Sequence, residues 1–185
     1  MRHRQSAACA ALAFFASACA STTQTLHVTP EIELRSGVDG RGATVAVEVE
    51  DRRGPPPPRG PDEPEILVAP DVDRALRRAV VAGLAQRGFV TSDAEPTRSL
   101  RVEILDASLV TESGQGTMLV RSQAELRFVV RNGRSTHENT YRSQRDRRVV
   151  LLPNSTRNEE QLNFSMSQAL QQFFDDRALL NALAR

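Results

Sequence analysis

Apolar side chains fall on every second residue along several stretches of the chain, the period of a strand with one face buried. Val45, Val47 and Val49 alternate with Ala46, Glu48 and Glu50, and Ile32 and Leu34 alternate with Glu31 and Glu33, so both stretches read as strands. Leu100, Val102 and Ile104 form a third run, and the parity reverses at Leu105, Ala107 and Leu109, which predicts a bulge or twist near Asp106. The cleanest run places Met118, Val120, Ala124, Leu126, Phe128 and Val130 on one parity, with Arg121, Gln123, Glu125, Arg127 and Arg131 on the other. Asn132-Gly133 directly after it predicts a tight hairpin. The return segment, Thr136 to Gln144, is polar on both parities and suits an edge strand carrying Tyr141.

Two stretches change period. From Asp71 to Arg87, Val72, Leu76, Val80 and Leu84 recur every fourth residue, the stripe of an amphipathic helix. Pro70 and Asp71 suit its start, and Gly88 suits a left-handed end from which Phe89 folds back onto the core. Thr156-x-x-Glu159 reads as a capping box, after which Leu162, Met166, Ala169, Leu170, Phe173 and Leu180 trace one face of a long closing helix. Adjacent helix positions diverge by about 100 degrees, so Asp175 and Asp176 read as separate surface charges. The run Gly54-Pro55-Pro56-Pro57-Pro58-Arg59-Gly60-Pro61 lacks the donors of a ladder or helix and marks residues 54–64 as a stiff loop.

The order β-α-β-β-β-α predicts a two-layer α+β sandwich, in which an antiparallel or mixed sheet of about four strands carries two helices on one face. Only those helices can cover the apolar strand parity. Met118, Val120, Leu126 and Phe128 should therefore share a core with Leu76, Val80, Leu170 and Phe173. At 39% hydrophobic and 25% charged residues, one globular domain is expected over residues 27–185.

The amino terminus has a separate logic. Arg2, His3 and Arg4 precede a short apolar stretch from Ala7 to Ala18, the layout of a secretory signal peptide occupying residues 1–18. It is shorter than the roughly 20 apolar residues that span a bilayer. Ala16-Ser17-Ala18-Cys19 resembles a lipobox, which makes Cys19 the lipidated first residue of the mature chain and residues 19–26 a tether. The departure is Ala16, where leucine is commonest; Ala16-Ser17-Ala18 or Ala18-Cys19-Ala20 also fits ordinary signal peptidase. With Cys9 inside the signal, the mature chain keeps one cysteine and has no disulfide partner for it, which acylation explains. Ala20 and Ser21 follow in place of the aspartate of inner-membrane retention, implying the periplasmic face of the outer membrane.

Candidate chemistry is sparse. The net charge is +1, giving no global field for nucleic acid, and all 24 basic residues are arginine. His27 and His137 lack metal-ligand spacing, Ser113-Gly114-Gln115-Gly116 is not a nucleophile elbow, and Gly37 to Gly42 lacks the ending of a phosphate loop. No enzyme activity, cofactor or metal is therefore expected. Arg121, Arg127 and Arg131 alternate on the outward strand parity, either as an ordinary solvated face or as a surface for an acidic partner or anionic headgroup.

The order Val28-x-Pro30-x-Ile32-x-Leu34, Val45-x-Val47-x-Val49-x-Asp51-x-Arg53, Arg87-Gly88-Phe89-Val90, Leu100-x-Val102-x-Ile104 and a final Leu-rich helix, beside a lipobox, resembles the YajG-like outer-membrane lipoproteins. The Pro-rich insert and the Arg-rich surface depart from that pattern. The resemblance implies an envelope location and a small α+β domain, and supplies no reaction. The expected function is a non-catalytic interaction or assembly module with an envelope protein partner. Two alternatives stand beside it: an accessory lipoprotein in lipid or lipopolysaccharide transport, as in the similar LptE-like architecture, and an envelope hydrolase using His137.

Overall fold

Alternation along the longest strands decides which side of the sheet is dry. The computed structural model describes residues 23–34, 37–56, 64–92, 94, 97–150 and 154–185; the signal peptide, Cys19 and most of the Pro-rich run lie outside them. Strands β2 (Thr44–Asp51), β4 (Val90–Thr91), β5 (Arg98–Ser113), β6 (Met118–Asn132) and β7 (Ser135–Val149) form a sheet ordered β4-β2-β5-β6-β7. β2 runs parallel to β4 and β5, while β5, β6 and β7 form an antiparallel meander. Two short strands, β1 (Gln24–Leu26) and β3 (Ile66–Val68), pair in parallel beside it. The α+β sandwich is as expected; the main sheet has five strands rather than four, because the two-residue β4 is too short to leave a periodic signal.

Helix α1 (Val72–Gln86) packs on β2 and β4, and α2 (Ser155–Asp175) on β5, β6 and β7. A shorter helix, α3 (Arg177–Ala184), covers the far end of β6. Val47, Leu100, Ile104, Val120, Leu126 and Phe128 turn inward to meet Leu76, Val80, Leu170 and Phe173 in one core, with Met118 packed at its margin. Phe128 stacks on Phe173 with ring centroids 4.2 Å apart, and Tyr141 and Phe174 meet this pair edge-on. The register shifts between Ile104 and Asp106, so the parity reversal is a bulge that keeps Ala107 and Leu109 on the buried side.

Local chemistry sets the ends. Gly88 has φ +77, Phe89 N–H donates to Leu84 O and Gly88 N–H to Ala85 O, the paired bonds of a Schellman stop. In the β6–β7 hairpin Asn132 pairs with Ser135, so the two-residue loop is Gly133-Arg134, one step beyond Asn132-Gly133. Gly133, with φ +56, occupies the first loop position.

Three expectations are corrected. The capping box does not form: Asn154 caps α2 by accepting from Arg157 N–H at 3.1 Å. The long closing helix breaks at Asp176, whose carboxylate caps α3 by accepting from Ala178 and Leu179 N–H, so Asp176 is a structural cap and not a plain surface charge. Residues 31–34, read as a strand, belong to an extended segment over 27–34 that lies in neither sheet. Their alternate amides bond instead to side chains of α2: His27 to Glu159 (2.9 Å), Thr29 to Asn163 (2.6 Å), Glu31 to Ser167 (2.9 Å) and Glu33 to Gln171 (3.0 Å). Two extended residues advance about 6.6 Å and four helical residues about 6.0 Å, so the two periods nearly match. Val28 and Ile32 point the other way, onto the core, and Ile32 closes against Gly83 of α1.

Candidate surface on the open sheet face

The helices leave the other side of the sheet uncovered, and alternation sends to it the residues that skip the core. Arg101 and Glu103 come from β5, Arg121, Glu125, Arg127 and Arg131 from β6, and Arg142 and Asp146 from β7. All three arginines singled out from the sequence are thus on one face, but they differ in what they touch.

Arg127 donates through Nε to Glu103 Oε2 at 2.7 Å, and its Nη2 pairs with the same oxygen. Glu103 is 1% exposed, and Arg52 (3.4 Å) and Arg101 (4.0 Å) approach its other oxygen. A buried carboxylate is tolerable only with such partners. Arg101 also reaches Glu48 and Glu50 on β2. Arg121 donates to Asp146 (3.1 Å) and Glu112 (3.2 Å); its guanidinium, and then Gln144, hold the Asp146 carboxyl below the usual range. Arg142 pairs with Glu125 at 2.7 Å. Arg131 is exposed, and no carboxylate or other polar partner among the described residues is bonded to it. It lies by Val129 and Arg101 at a shallow hollow of about 450 Å³.

A larger groove, about 1100 Å³, opens where β5 outruns β2. Leu105, Asp106 and Val110 lie along it, Glu125 and Arg121 stand on the β6 side, and Pro55, Pro64 and Leu67 form the opposite wall. Asp106 has its carboxyl raised by burial first; a hydrogen bond from Ser108 opposes this and Glu125 adds to it.

On the covered side, Tyr141 O–H donates to Asp176 Oδ2 at 2.6 Å and Asn139 Nδ2 reaches the same oxygen at 3.2 Å. Burial and the Asp176 charge push the Tyr141 hydroxyl upward. Burial acts to raise Asp176, yet the bonds from Tyr141, Leu179 N–H, Asn139 and Ala178 N–H outweigh it and leave the carboxyl lowered. Sequence reasoning placed Arg121, Arg127 and Arg131 but missed Glu103, although it shares the outward parity of Arg101 on β5. His137 is exposed on β7 opposite Val130, and no acid or nucleophile among the described residues is bonded to it.

Residues 30–184 match the model of a family described as an uncharacterised lipoprotein. The chain belongs to this lipoprotein family. No curated protein matches it. Among solved structures, the lipoprotein is similar to protein XCC0632 of Xanthomonas campestris, with a TM-score of 0.58 and 11% identity over 83% of this chain and 92% of that one. A minor lipoprotein of Acinetobacter baumannii gives a TM-score of 0.40 at 11% identity, covering 80% of this chain and 92% of the other. Lipoprotein GNA1162 of Neisseria meningitidis gives 0.38 at 12% identity, covering 72% and 99%. At these identities the first likeness shows the fold alone. Family membership points to a membrane-anchored envelope location, and among the described residues no helix is long and apolar enough to cross a membrane.

Proposed function

We propose that this lipoprotein is a YajG-like protein of the outer membrane, anchored through Cys19 on the periplasmic side, and that its domain is a non-catalytic interaction or assembly module. The observation carrying this reading is the open sheet face, an ordered charged surface on which Arg131, beside apolar Val129, has no bonded partner among the described residues. Such a group suits a carboxylate of an envelope protein partner. The transport-accessory alternative calls for an apolar groove between sheet and helices; that layer is filled by side chains such as Phe128 and Phe173. The test is crosslinking in native envelopes with identification of the captured proteins. Arg131→Ser should lose the specific partner that wild type captures. Equal capture by both chains, or hydrolysis of peptidoglycan by the purified lipoprotein that is lost in His137→Ala, would replace this reading.

A further inference from the structure

The outer edge of the sheet is a long, regular strand. β7 runs for 15 residues and pairs with β6 without a register break from Asn132↔Ser135 to Met118↔Val149, and among the described residues no strand lies on its other side. Edge strands are ordinarily blunted by short length, proline, a bulge or charged side chains, and β7 carries the last of these in Glu138, Arg142, Arg145 and Asp146. β7 has no proline and no bulge. Two of its main-chain groups bond to side chains: Thr140 N–H donates to the side chain of Asn139 at 2.9 Å, and Arg142 O accepts from Gln172 at 3.3 Å. These bonds to side chains can be exchanged for bonds to a neighbouring strand at little cost.

The charges on β7 select what that strand is. Two copies of β7 meeting antiparallel about a twofold axis keep their faces aligned only when a residue lies on the axis. With Thr140 there, Glu138 faces Arg142 of the second copy, and Arg134, in the loop directly before β7, comes level with Asp146, each twice by symmetry. Centring on Arg142 sets Arg142 against itself and Glu138 against Asp146. Centring on Glu138 sets Glu138 against itself and Arg134 against Arg142. No other centre between Glu138 and Gln144 gives more than one opposite-charge pair per half. The favoured register also continues rows already present on the open face: Glu125 to Arg142 within one copy extends to Glu138 of the second, and Arg121 to Asp146 extends to Arg134.

We propose that this lipoprotein pairs with a second copy of itself through β7, antiparallel and centred on Thr140, joining two five-stranded sheets into one of ten strands. The helices of both copies then share one side and the open faces the other, so the inference adds a self-interface without using the Arg131 surface.

Cysteine crosslinking of the full-length lipoprotein in native membranes reads the register directly. Under mild oxidation, Thr140→Cys should form a disulfide-linked dimer. Thr136→Cys alone and Gln144→Cys alone should not, while the double variant Thr136→Cys/Gln144→Cys should. Glu138→Arg on the Thr140→Cys background should lower the crosslinked fraction about tenfold, and adding Arg142→Glu should restore it. Thermal melts of each variant establish that it is folded. A folded Thr140→Cys chain that stays monomeric overturns the proposal. So does equal crosslinking at 136, 140 and 144, or a Glu138→Arg effect that Arg142→Glu fails to reverse. Equal partner capture by wild type and Arg131→Ser, with the dimer intact, would sink the proposed function and leave this interface standing.

Discussion

Glu103 and Arg131 lie on the same face and present opposite cases. Glu103 is buried and depends on the guanidinium groups above it, of which Arg127 is nearest. Arg127→Ser should cost about 1–3 kcal/mol in thermal or urea denaturation, because a buried carboxylate loses its closest charge-assisted bonds. Arg131→Ser should stay within about 0.5 kcal/mol of wild type, since nothing described depends on it. Reversed magnitudes would show the ion-pair assignment to be wrong. Two carboxyl groups give a second contrast, through pH. Asp106 has its pKa raised from the usual 3.8, so its ionised form weighs against the fold, and that penalty is relieved as pH falls through the folded value. Asp176 is lowered from 3.8, so its contribution is present above that value and is lost as pH falls through the folded one. Asp106→Asn should accordingly raise the melting temperature near about pH 7, with the gain shrinking toward about pH 4. Asp176→Asn should lower it at neutral pH, with the deficit closing only in stronger acid. In the core, Phe128→Ala removes a stacked ring and should cost about 3–5 kcal/mol.

At the scale of elements, legibility followed the length of the periodic signal. β6 and α1 were readable because Val120 to Val130 and Val72 to Leu84 each hold one parity or one stripe over several repeats, and the bulge in β5 was readable because two such runs meet out of phase. β4 has two residues and no pattern to read. Residues 31–34 misled for a different reason. Alternation reports that one side of an extended chain is buried, and is silent on where the amides go. Here they go to Glu159, Asn163, Ser167 and Gln171, a row at four-residue spacing on the polar face of α2 that looks like ordinary helix surface until a strand is laid against it. Replacing Asn163, Ser167 and Gln171 with alanine should cost about 0.5–1.5 kcal/mol per lost bond. It should also speed hydrogen exchange at Thr29, Glu31 and Glu33 while the amides of β6 stay protected. Uniform acceleration across the domain would mean the row does not act locally. The outward arginines were legible by parity, but their pairing was not, because Glu103, Glu112 and Asp146 reach them from neighbouring strands.

At the scale of the whole molecule, one dry layer and one charged face give a domain that is closed on one side and open on the other. The anchor expected at Cys19 is checked by intact mass of the protein extracted from membranes. The mature chain should begin at Cys19 and carry the acyl mass, whereas Cys19→Ala should lose it; a species starting at Ala20 would sink the assignment. The segment expected to be tether up to residue 26 is shorter than it looked, since Gln24 to Leu26 form β1 and pair with β3. Four residues separate Cys19 from Gln24, and the five fully stretched steps between them cover only about 17 Å. An anchor at Cys19 would therefore be a short leash. The extended segment held against α2 would keep it from paying out, so a partner would have to arrive at the membrane surface to be met.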